Sequence, residues 1–280
     1  MAQKFKKSSF IFDIDSRSPF KLSRSKIDLF IDCQRCFFLS ERYGIKRPKF
    51  PPFTLNIAVD ALLKKEFDIY RSKGQKHPLM KSYGVDAIPY HHKDINIWRE
   101  NFVGIRFHDK ESSLLVFGAI DDVWINSKEE LVVVDYKATA KDSKIEKLDD
   151  SRWHNQYRRQ MEVYQWLLKK NGFKTSSTGY FMYLNGKKDS KAFDGKLEFD
   201  ISLISYVGDS SWMDNTLKDI KKCLVSGDIP PMGDNCEYCD YRETSGKVFQ
   251  NIVNNKVKKK KRDSDISGND ITVKNNTLFI

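Results

Sequence analysis

Two aspartates and a lysine in the middle of the chain have the residue types and the spacing that phosphate chemistry requires. Asp121 lies near the end of one apolar stretch, and Asp135 and Lys137 follow the β-branched run 131–134. Polar residues between the two stretches predict a β-hairpin. A turn centred near Lys128 leaves seven residues to each aspartate, so antiparallel pairing sets the two carboxylates opposite each other, within about 5 Å at Cβ.

This arrangement would place three charged groups on one face of the sheet. Lys137 is two residues beyond Asp135 and points the same way, whereas Tyr136 points to the other face. Two facing carboxylates are suitable ligands for Mg²⁺ or Mn²⁺, which polarise phosphate oxygens and lower the pKa of bound water. Lys137 could orient that water, help to deprotonate it, or offset charge on the phosphate. The alternative is an exposed hairpin whose Asp and Lys residues form surface ion pairs.

Three motifs in order resemble a known family. Gly118-Ala-Ile-Asp121, the hairpin, and then Asp135-Tyr-Lys137 resemble the G-x-x-D … D-Y-K core of PD-(D/E)XK nucleases, specifically the RecB-type branch. Gln160-Met-Glu-Val-Tyr164 resembles the Q-x-x-x-Y motif of that branch. The likeness extends from roughly Leu22 to Arg242. It implies a restriction-endonuclease-like α/β fold and metal-dependent cleavage of phosphodiester bonds.

The resemblance also implies roles for individual residues. In RecB-type nucleases the helix before the hairpin usually carries a metal-binding His, and the best-matching position here is Asp60, on a helix predicted from Leu55 to Arg71. Asp can also bind a hard cation, but the alternative is a solvated helix carboxylate. Gln160 and Tyr164 would position the substrate. The implied metal ligands are Asp60, Asp121, Asp135 and the Tyr136 carbonyl, and the implied catalytic residues are Asp121, Asp135, Lys137, Gln160 and Tyr164.

Two C-x-x-C pairs are separated by about two hundred residues. Cys33 and Cys36 are predicted to lie on one face of a single helix, and Cys236 and Cys239 follow the last predicted helix. Four thiolates can close a tetrahedral site that joins the N- and C-terminal segments as a cap. RecB-type nucleases with an iron–sulfur cluster commonly use one cysteine before the core and three after it. Zn²⁺ and a [4Fe–4S] cluster both remain open, as do four free thiols.

The charge balance favours a polyanionic partner. The chain has 49 Lys plus Arg against 38 Asp plus Glu, a net charge of +11 and an isoelectric point near 9.2. Such a surplus favours nucleic acid over a membrane surface, although a merely basic protein would show it too. On the helix that follows the hairpin, the candidates for phosphate contact are Arg152, Arg158 and Arg159.

The predicted organisation is an arm (1–21), a nuclease-like domain (22–253) and a disordered basic and polar tail (254–280). The domain is expected to be α/β, with a mixed central sheet of about five strands flanked by helices, and 74–110 is expected to be loop-like apart from a strand at 101–108 before the hairpin. No stretch approaches the roughly 18 apolar residues that span a bilayer, and Met1–Ser9 lacks the apolar region of a signal peptide. We therefore expect no membrane contact and a cytoplasmic location.

These observations favour a Mg²⁺- or Mn²⁺-dependent deoxyribonuclease, acting as an exonuclease or on single strands. The resemblance allows roles in DNA repair, recombination or CRISPR adaptation, with a helicase or proteins of CRISPR adaptation or recombination as partners. One alternative is a nucleic-acid-binding module that kept the fold and lost the chemistry, which Asp60 in place of His supports. Another is a metal-clasped scaffold protein.

Overall fold

The computed structural model describes residues 11–48 and 51–267, with side chains described through residue 258. The first ten residues of the expected arm and residues 268–280 of the expected tail lie outside this range. The chain divides into two compact units, Met1–Pro231 and Met232–Ile280.

The described part of the first unit is an α/β structure with two sheets. Its strands are β1 (Phe20–Ser23), β2 (Ala87–Pro89), β3 (Ile105–Asp109), β4 (Leu114–Gly118), β5 (Asp122–Asn126), β6 (Leu131–Thr139), β7 (Thr178–Gly186) and β8 (Phe199–Val207). Its helices are α1 (Arg24–Asp32), α2 (Gln34–Tyr43), α3 (Thr54–Ser72), α4 (Pro78–Ser82), α5 (Ile95–Arg99), α6 (Arg152–Lys170) and α7 (Met213–Val225).

The larger sheet has five strands in the order β2-β5-β6-β7-β8 and is mixed. Strands β5 and β6 form the predicted antiparallel hairpin, and β7 lies parallel to β6 after the crossover through α6. Parallel strands need such a helical crossover and are normally covered on both faces. Residues 131–136 of β6 are accordingly all buried. The expected mixed α/β fold is confirmed.

The central strand β6 divides the core into two layers. Val133 belongs to the cluster that contains Met161 and Tyr164 of α6, whereas Val132 and Tyr136 belong to the cluster under α3. Side chains alternate across a strand, so odd-numbered residues of β6 face α6 and even-numbered residues face α3. This alternation places residues 135 and 137 on the α6 side of the sheet.

A second sheet, with the order β1-β4-β3, was not expected. Residues 74–110, expected to be loop apart from a strand at 101–108, contain α4, β2, α5 and β3. The expected strand is confirmed as β3, and the interpretation of the rest as loop is wrong for α4, β2 and α5. Each of these elements has only three to five residues. Elements this short do not complete a recognisable hydrophobic period, so neighbouring structure rather than local pattern decides their conformation.

The first helical region also differs from the prediction. Cys33 has an extended backbone, with φ −164° and ψ 106°, which separates α1 from α2. Cys33 and Cys36 therefore do not lie on one continuous helix. Instead, Cys33 is the N-cap of α2, and its Sγ accepts the Cys36 N–H at 3.4 Å.

The second unit contains α8, which begins at Glu237 and ends at Ser267. Residues 254–267 are therefore helical, whereas the sequence led us to expect a tail without secondary structure. Extending a helix adds one backbone hydrogen bond for each residue fixed, and lysine is a good helix former. A basic run that continues an existing helix can therefore adopt the same conformation.

Candidate active site

The hairpin of β5 and β6 places the two predicted carboxylates, Asp121 and Asp135, opposite each other. Asp122 pairs with Val134 in the ladder of β5 and β6, so continuing this register by one residue sets Asp121 opposite Asp135. Asp121 lies just before β5, and its Oδ2 accepts the Tyr136 N–H at 3.0 Å. The predicted register is confirmed, and a backbone hydrogen bond fixes the Asp121 side chain at the end of the ladder.

Asp135 is a fully buried carboxylate that is only partly satisfied. Its side chain has 0% exposure, and the Lys137 ammonium contacts Oδ2 in a charge-assisted hydrogen bond. Oδ1 has no hydrogen-bond partner among the described residues. Burial raises the pKa of Asp135 to about 6; Lys137 opposes this rise and the Asp121 charge adds to it. A buried carboxylate with unused lone pairs is costly unless a further positive group contacts it.

Lys137 lies between this carboxylate and α6. Its Nζ donates to Gln160 Oε1 at 3.4 Å and lies 4.5 Å from the centre of the Tyr157 ring. Burial alone would lower the lysine pKa, but the charges of Asp135 and Asp121 outweigh burial and raise it. Lys137 is therefore an ammonium at neutral pH, which can donate hydrogen bonds and offset negative charge but cannot accept a proton.

Gln160 and Tyr164 of α6 are linked to each other above the same strand. Gln160 Nε2 donates to Tyr164 Oη at 3.1 Å. Burial raises the pKa of Tyr164, so its phenol remains protonated and can donate. A Cβ at Gly118 would lie 2.6 Å from Tyr164 Cε1. The glycine of the G-x-x-D motif thus leaves room for the tyrosine ring beside the carboxylates.

Asp60 approaches the site from α3, on the other face of the sheet. Its nearest charged neighbour is Lys64, whose Nζ lies 2.7 Å from Asp60 Oδ2 and 3.7 Å from Asp121 Oδ1. Burial and the Asp121 charge raise the pKa of Asp60. The trio of Asp60, Asp121 and Asp135 is not among the groups of the described residues whose ligand atoms lie within 4.8 Å of one another. Sequence reasoning missed Lys64, which stands between two of the predicted ligands.

The neighbouring residue, Asp122, was also missed, and its environment is the opposite of that of Asp135. It is 0% exposed, and Arg71 Nη2 and Arg99 Nη2 form ion pairs with its Oδ1, the latter at 2.9 Å. Its Oδ2 accepts from Tyr136 Oη at 2.9 Å and from Trp124 Nε1 at 3.2 Å. Four side-chain donors therefore satisfy this buried carboxylate.

The same network holds the backbone of the site. Arg99 Nε donates to the Asp121 carbonyl at 3.1 Å, and both Arg99 and Arg71 pair with Asp68 at 2.9 Å. Asp68 and Arg71 come from α3, whereas Arg99 ends α5. Two separate helices thus fix the end of the hairpin at which Asp121 lies. An inward-facing Asp directly after Asp121 was the one local signal for this network.

The three arginines predicted to contact phosphate each have a partner within the protein. Arg152 pairs with Asp32 and Arg159 with Asp28, both at 2.6 Å. Arg158 donates to Asn155 Oδ1 at 2.6 Å and to the Leu148 carbonyl at 3.2 Å. Phosphate contact would require these side chains to exchange or share their partners, and their role stays a prediction.

The four cysteines of the two C-x-x-C pairs are all buried, Cys33 and Cys36 in the first unit and Cys236 and Cys239 in the second. Four cysteines provide ligands for Zn²⁺ or for a cluster, because each is a thiolate ligand when deprotonated. Cys33 and Cys36 flank the first turn of α2, and the Cys239 N–H donates to the Cys236 carbonyl at 3.0 Å at the start of α8.

The carboxylate oxygens of Asp121 and Asp135 are suitable ligands for a hard divalent cation. Asp135 provides a buried Oδ1 without a hydrogen-bond partner among the described residues, and Asp121 provides Oδ1, since its Oδ2 already accepts a backbone N–H. A cavity of about 120 Å³ adjoins Lys137, and its lining includes Asn56, Asp60, Tyr136 and Tyr157. Water-sized molecules therefore have access to the ammonium and to the edge of the acidic group.

A model of the PD-(D/E)XK nuclease superfamily matches residues 21–244, which includes every catalytic residue proposed above. No curated protein matches the sequence. Within the described part of the chain, no helix has the length and apolar character needed to span a membrane. The match extends over most of the chain, and the mixed α/β fold agrees with it. The chain therefore belongs to the PD-(D/E)XK nuclease superfamily.

Proposed function

We propose that this protein is a Mg²⁺- or Mn²⁺-dependent deoxyribonuclease whose cation is held by Asp121 and Asp135. The observation that carries the proposal is the fully buried Asp135 carboxylate, whose Oδ1 has no hydrogen-bond partner among the described residues and whose Oδ2 contacts the Lys137 ammonium. An unsatisfied buried carboxylate costs several kcal/mol, so a structure that retains one is expected to use it. Superfamily membership independently favours metal-dependent nuclease activity.

The residues around the carboxylates have separate tasks in this proposal. The cation, when bound, would polarise a phosphate oxygen and lower the pKa of a water molecule. The Lys137 ammonium would donate a hydrogen bond that orients this water, and its charge would offset that on the phosphate. Gln160 holds the Tyr164 phenol at 3.1 Å, and both would position the strand. The Tyr136 carbonyl and Asp60 are further proposed ligands.

The branch and the pathway belong to the same proposal. The Q-x-x-x-Y pattern of Gln160 and Tyr164 supports the RecB-type branch, and with it exonuclease or single-strand cleavage in repair, recombination or CRISPR adaptation. The same resemblance favours a helicase, or proteins of CRISPR adaptation or recombination, as partners. We also propose a cytoplasmic location.

A cleavage assay on end-labelled single- and double-stranded DNA tests the activity. We expect Mn²⁺- or Mg²⁺-dependent products that disappear in EDTA and in the variant Lys137→Ala. Lys64→Ala is the matched control, because Lys64 also lies near Asp121 but does not contact Asp135. Cleavage that persists in Lys137→Ala and Asp135→Ala would contradict the proposal.

We also propose that the four cysteines bind Zn²⁺ or a [4Fe–4S] cluster, since four buried thiols provide ligands that suit either. The resemblance to RecB-type nucleases favours the cluster. Anaerobic purification followed by metal analysis tests this: brown protein with four Fe per chain would indicate the cluster, and one Zn per chain would indicate zinc. Protein with neither metal would overturn the proposal.

A binding module without catalysis is the second candidate, and the position of Lys64 favours it. Its ammonium lies between Asp60 and Asp121, where it competes with a cation for both carboxylates. This candidate predicts salt-dependent DNA binding in EDTA that is unchanged by Mn²⁺, together with no cleavage of any substrate.

A further inference from the structure

Arg24, the first residue of α1, lies at the carboxylate site although no motif includes it. Strand β1 pairs in parallel with β4, with Ser23 opposite Phe117, so Arg24 follows directly beside Gly118. A Cβ at Gly118 would lie 3.5 Å from Arg24 Cβ and 2.6 Å from Tyr164 Cε1. The base of the arginine side chain and the tyrosine ring thus meet at the same glycine.

The guanidinium group of Arg24 interacts electrostatically with ionisable residues of the site. Its charge lowers the pKa of both Asp135 and Tyr164, against the larger effect of burial, so it lies within electrostatic reach of both groups. Arg24 is half-buried, yet it makes no hydrogen bond or ion pair with any residue that the structure describes. A partly desolvated guanidinium with five unused donors is expected to have an anionic ligand.

Other half-buried arginines of the described residues differ from Arg24 in this respect. Six of them form a hydrogen bond or an ion pair within the chain: these are Arg35, Arg42, Arg47, Arg99, Arg158 and Arg159. An arginine that only stabilised the fold would be expected to resemble this group. Arg24 instead leaves its donors available on the side of the site where a substrate phosphate would lie.

We propose that Arg24 binds a phosphate group of the nucleic-acid strand next to the bond that is cleaved. The planar guanidinium matches two phosphate oxygens, and such charge-assisted pairs are the stronger hydrogen bonds in proteins. A cation on Asp121 and Asp135 would leave the Arg24 charge without compensation, and a phosphate would supply it. This inference rests on the proposed function, because it names a contact to the substrate of the same site.

Binding of a fluorescent single-stranded oligonucleotide to the full chain in EDTA tests the contact without requiring cleavage. We expect Arg24→Ala to weaken binding about tenfold at low salt and to reduce the slope of log K against log salt by about one. Lys21→Ala is the control, since Lys21 is an exposed residue of β1 three positions earlier, and it should bind within twofold of the parent. Arg24→Lys should retain part of the affinity.

Two results would overturn the proposal. The first is Arg24→Ala binding as Lys21→Ala does; if it also shows altered Mn²⁺ affinity, Arg24 merely compensates the Asp135 charge. The second is weaker binding with an unchanged salt slope, which would indicate a structural role. If Arg24→Ala does not fold, Arg24→Gln provides the same comparison while keeping a long side chain. Binding of this kind without any cleavage would contradict the nuclease proposal and leave the phosphate contact intact.

Discussion

Two fully buried carboxylates, Asp122 and Asp135, lie one residue apart in register on neighbouring strands, yet their surroundings are opposite. Asp122 accepts from four side-chain donors, including two arginines, whereas Asp135 accepts from the Lys137 ammonium alone among the described side chains, and its Oδ1 has no partner. Burial alone therefore does not distinguish a structural acid from a functional one. The number of satisfied lone pairs does, because a saturated carboxylate has no coordination left for a ligand.

Replacing Asp135 should have the largest effect on activity. Asp135→Asn preserves the shape but removes the charge that the cation requires, so we expect the Mn²⁺-dependent cleavage rate to fall by about a thousandfold or more. Single-turnover cleavage of a labelled oligonucleotide measures this. A variant that retains parental rates would place Asp135 among the structural acids and remove the contrast with Asp122.

Replacing Asp122 should instead destabilise the fold. Asp122→Asn leaves Arg71 and Arg99 without their buried counter-charge, and breaking such a pair costs about 3–5 kcal/mol. Urea unfolding measures the loss. The control is Asp219→Asn, an exposed pair with Lys222 on α7, for which we expect less than about 1 kcal/mol. Similar losses for both variants would show that the network contributes little.

The pH dependence of stability should distinguish the two acids in metal-free protein. Folded Asp135 has a pKa of about 6 against an ordinary 3.8, so it holds its proton more tightly than the unfolded chain does. Its contribution is fully present below about pH 3.8 and is lost as the pH rises through about 6. The Asp135→Asn variant has no titrating carboxyl group at this position, so it cannot lose stability in this way as the pH rises.

We therefore expect the unfolding free energy of Asp135→Asn minus that of the parent to increase by about 2 kcal/mol between pH 4 and pH 7. Urea unfolding at a series of pH values, in the presence of EDTA, measures this difference. A constant difference would mean that the Asp135 carboxylate is compensated as fully as that of Asp122.

The smallest effect concerns Lys64, which stands between Asp60 and Asp121. Lys64→Met removes a charge that opposes a bound cation, so Mn²⁺ should bind a few-fold more tightly, as calorimetry would show. Lys65→Met, an exposed neighbour on α3, should leave the affinity unchanged. Weaker binding in Lys64→Met would mean that the lysine helps to organise the acidic group.

The contrast also explains which features the sequence could predict. The register of Asp121 against Asp135 follows from a two-residue period and the position of one turn, both of which are local. The partners of Asp122 are not local: Arg71 comes from α3 and Arg99 from a five-residue helix that was interpreted as loop. Their convergence depends on packing across both faces of the sheet, which a single sequence does not reveal.

The cysteine region likewise combines a feature that the sequence predicted with one that it did not. The C-x-x-C spacing indicated cysteines that act as ligands, and all four are buried. The break between α1 and α2 was not predictable, because an apolar stripe continues across Cys33 while its backbone turns extended. Arg24 and Lys64 were missed for a related reason: a single charged residue on a helix normally indicates a solvated surface.

The most direct test of a cation site at Asp121 and Asp135 is anomalous diffraction from a crystal soaked in Mn²⁺. We expect a manganese peak bound by oxygens of both Asp121 and Asp135, with no manganese at Asp122. A fully loaded crystal with no peak at Asp135, or with its carboxylate still facing only Lys137, would contradict the claim that this buried acid is reserved for a cation.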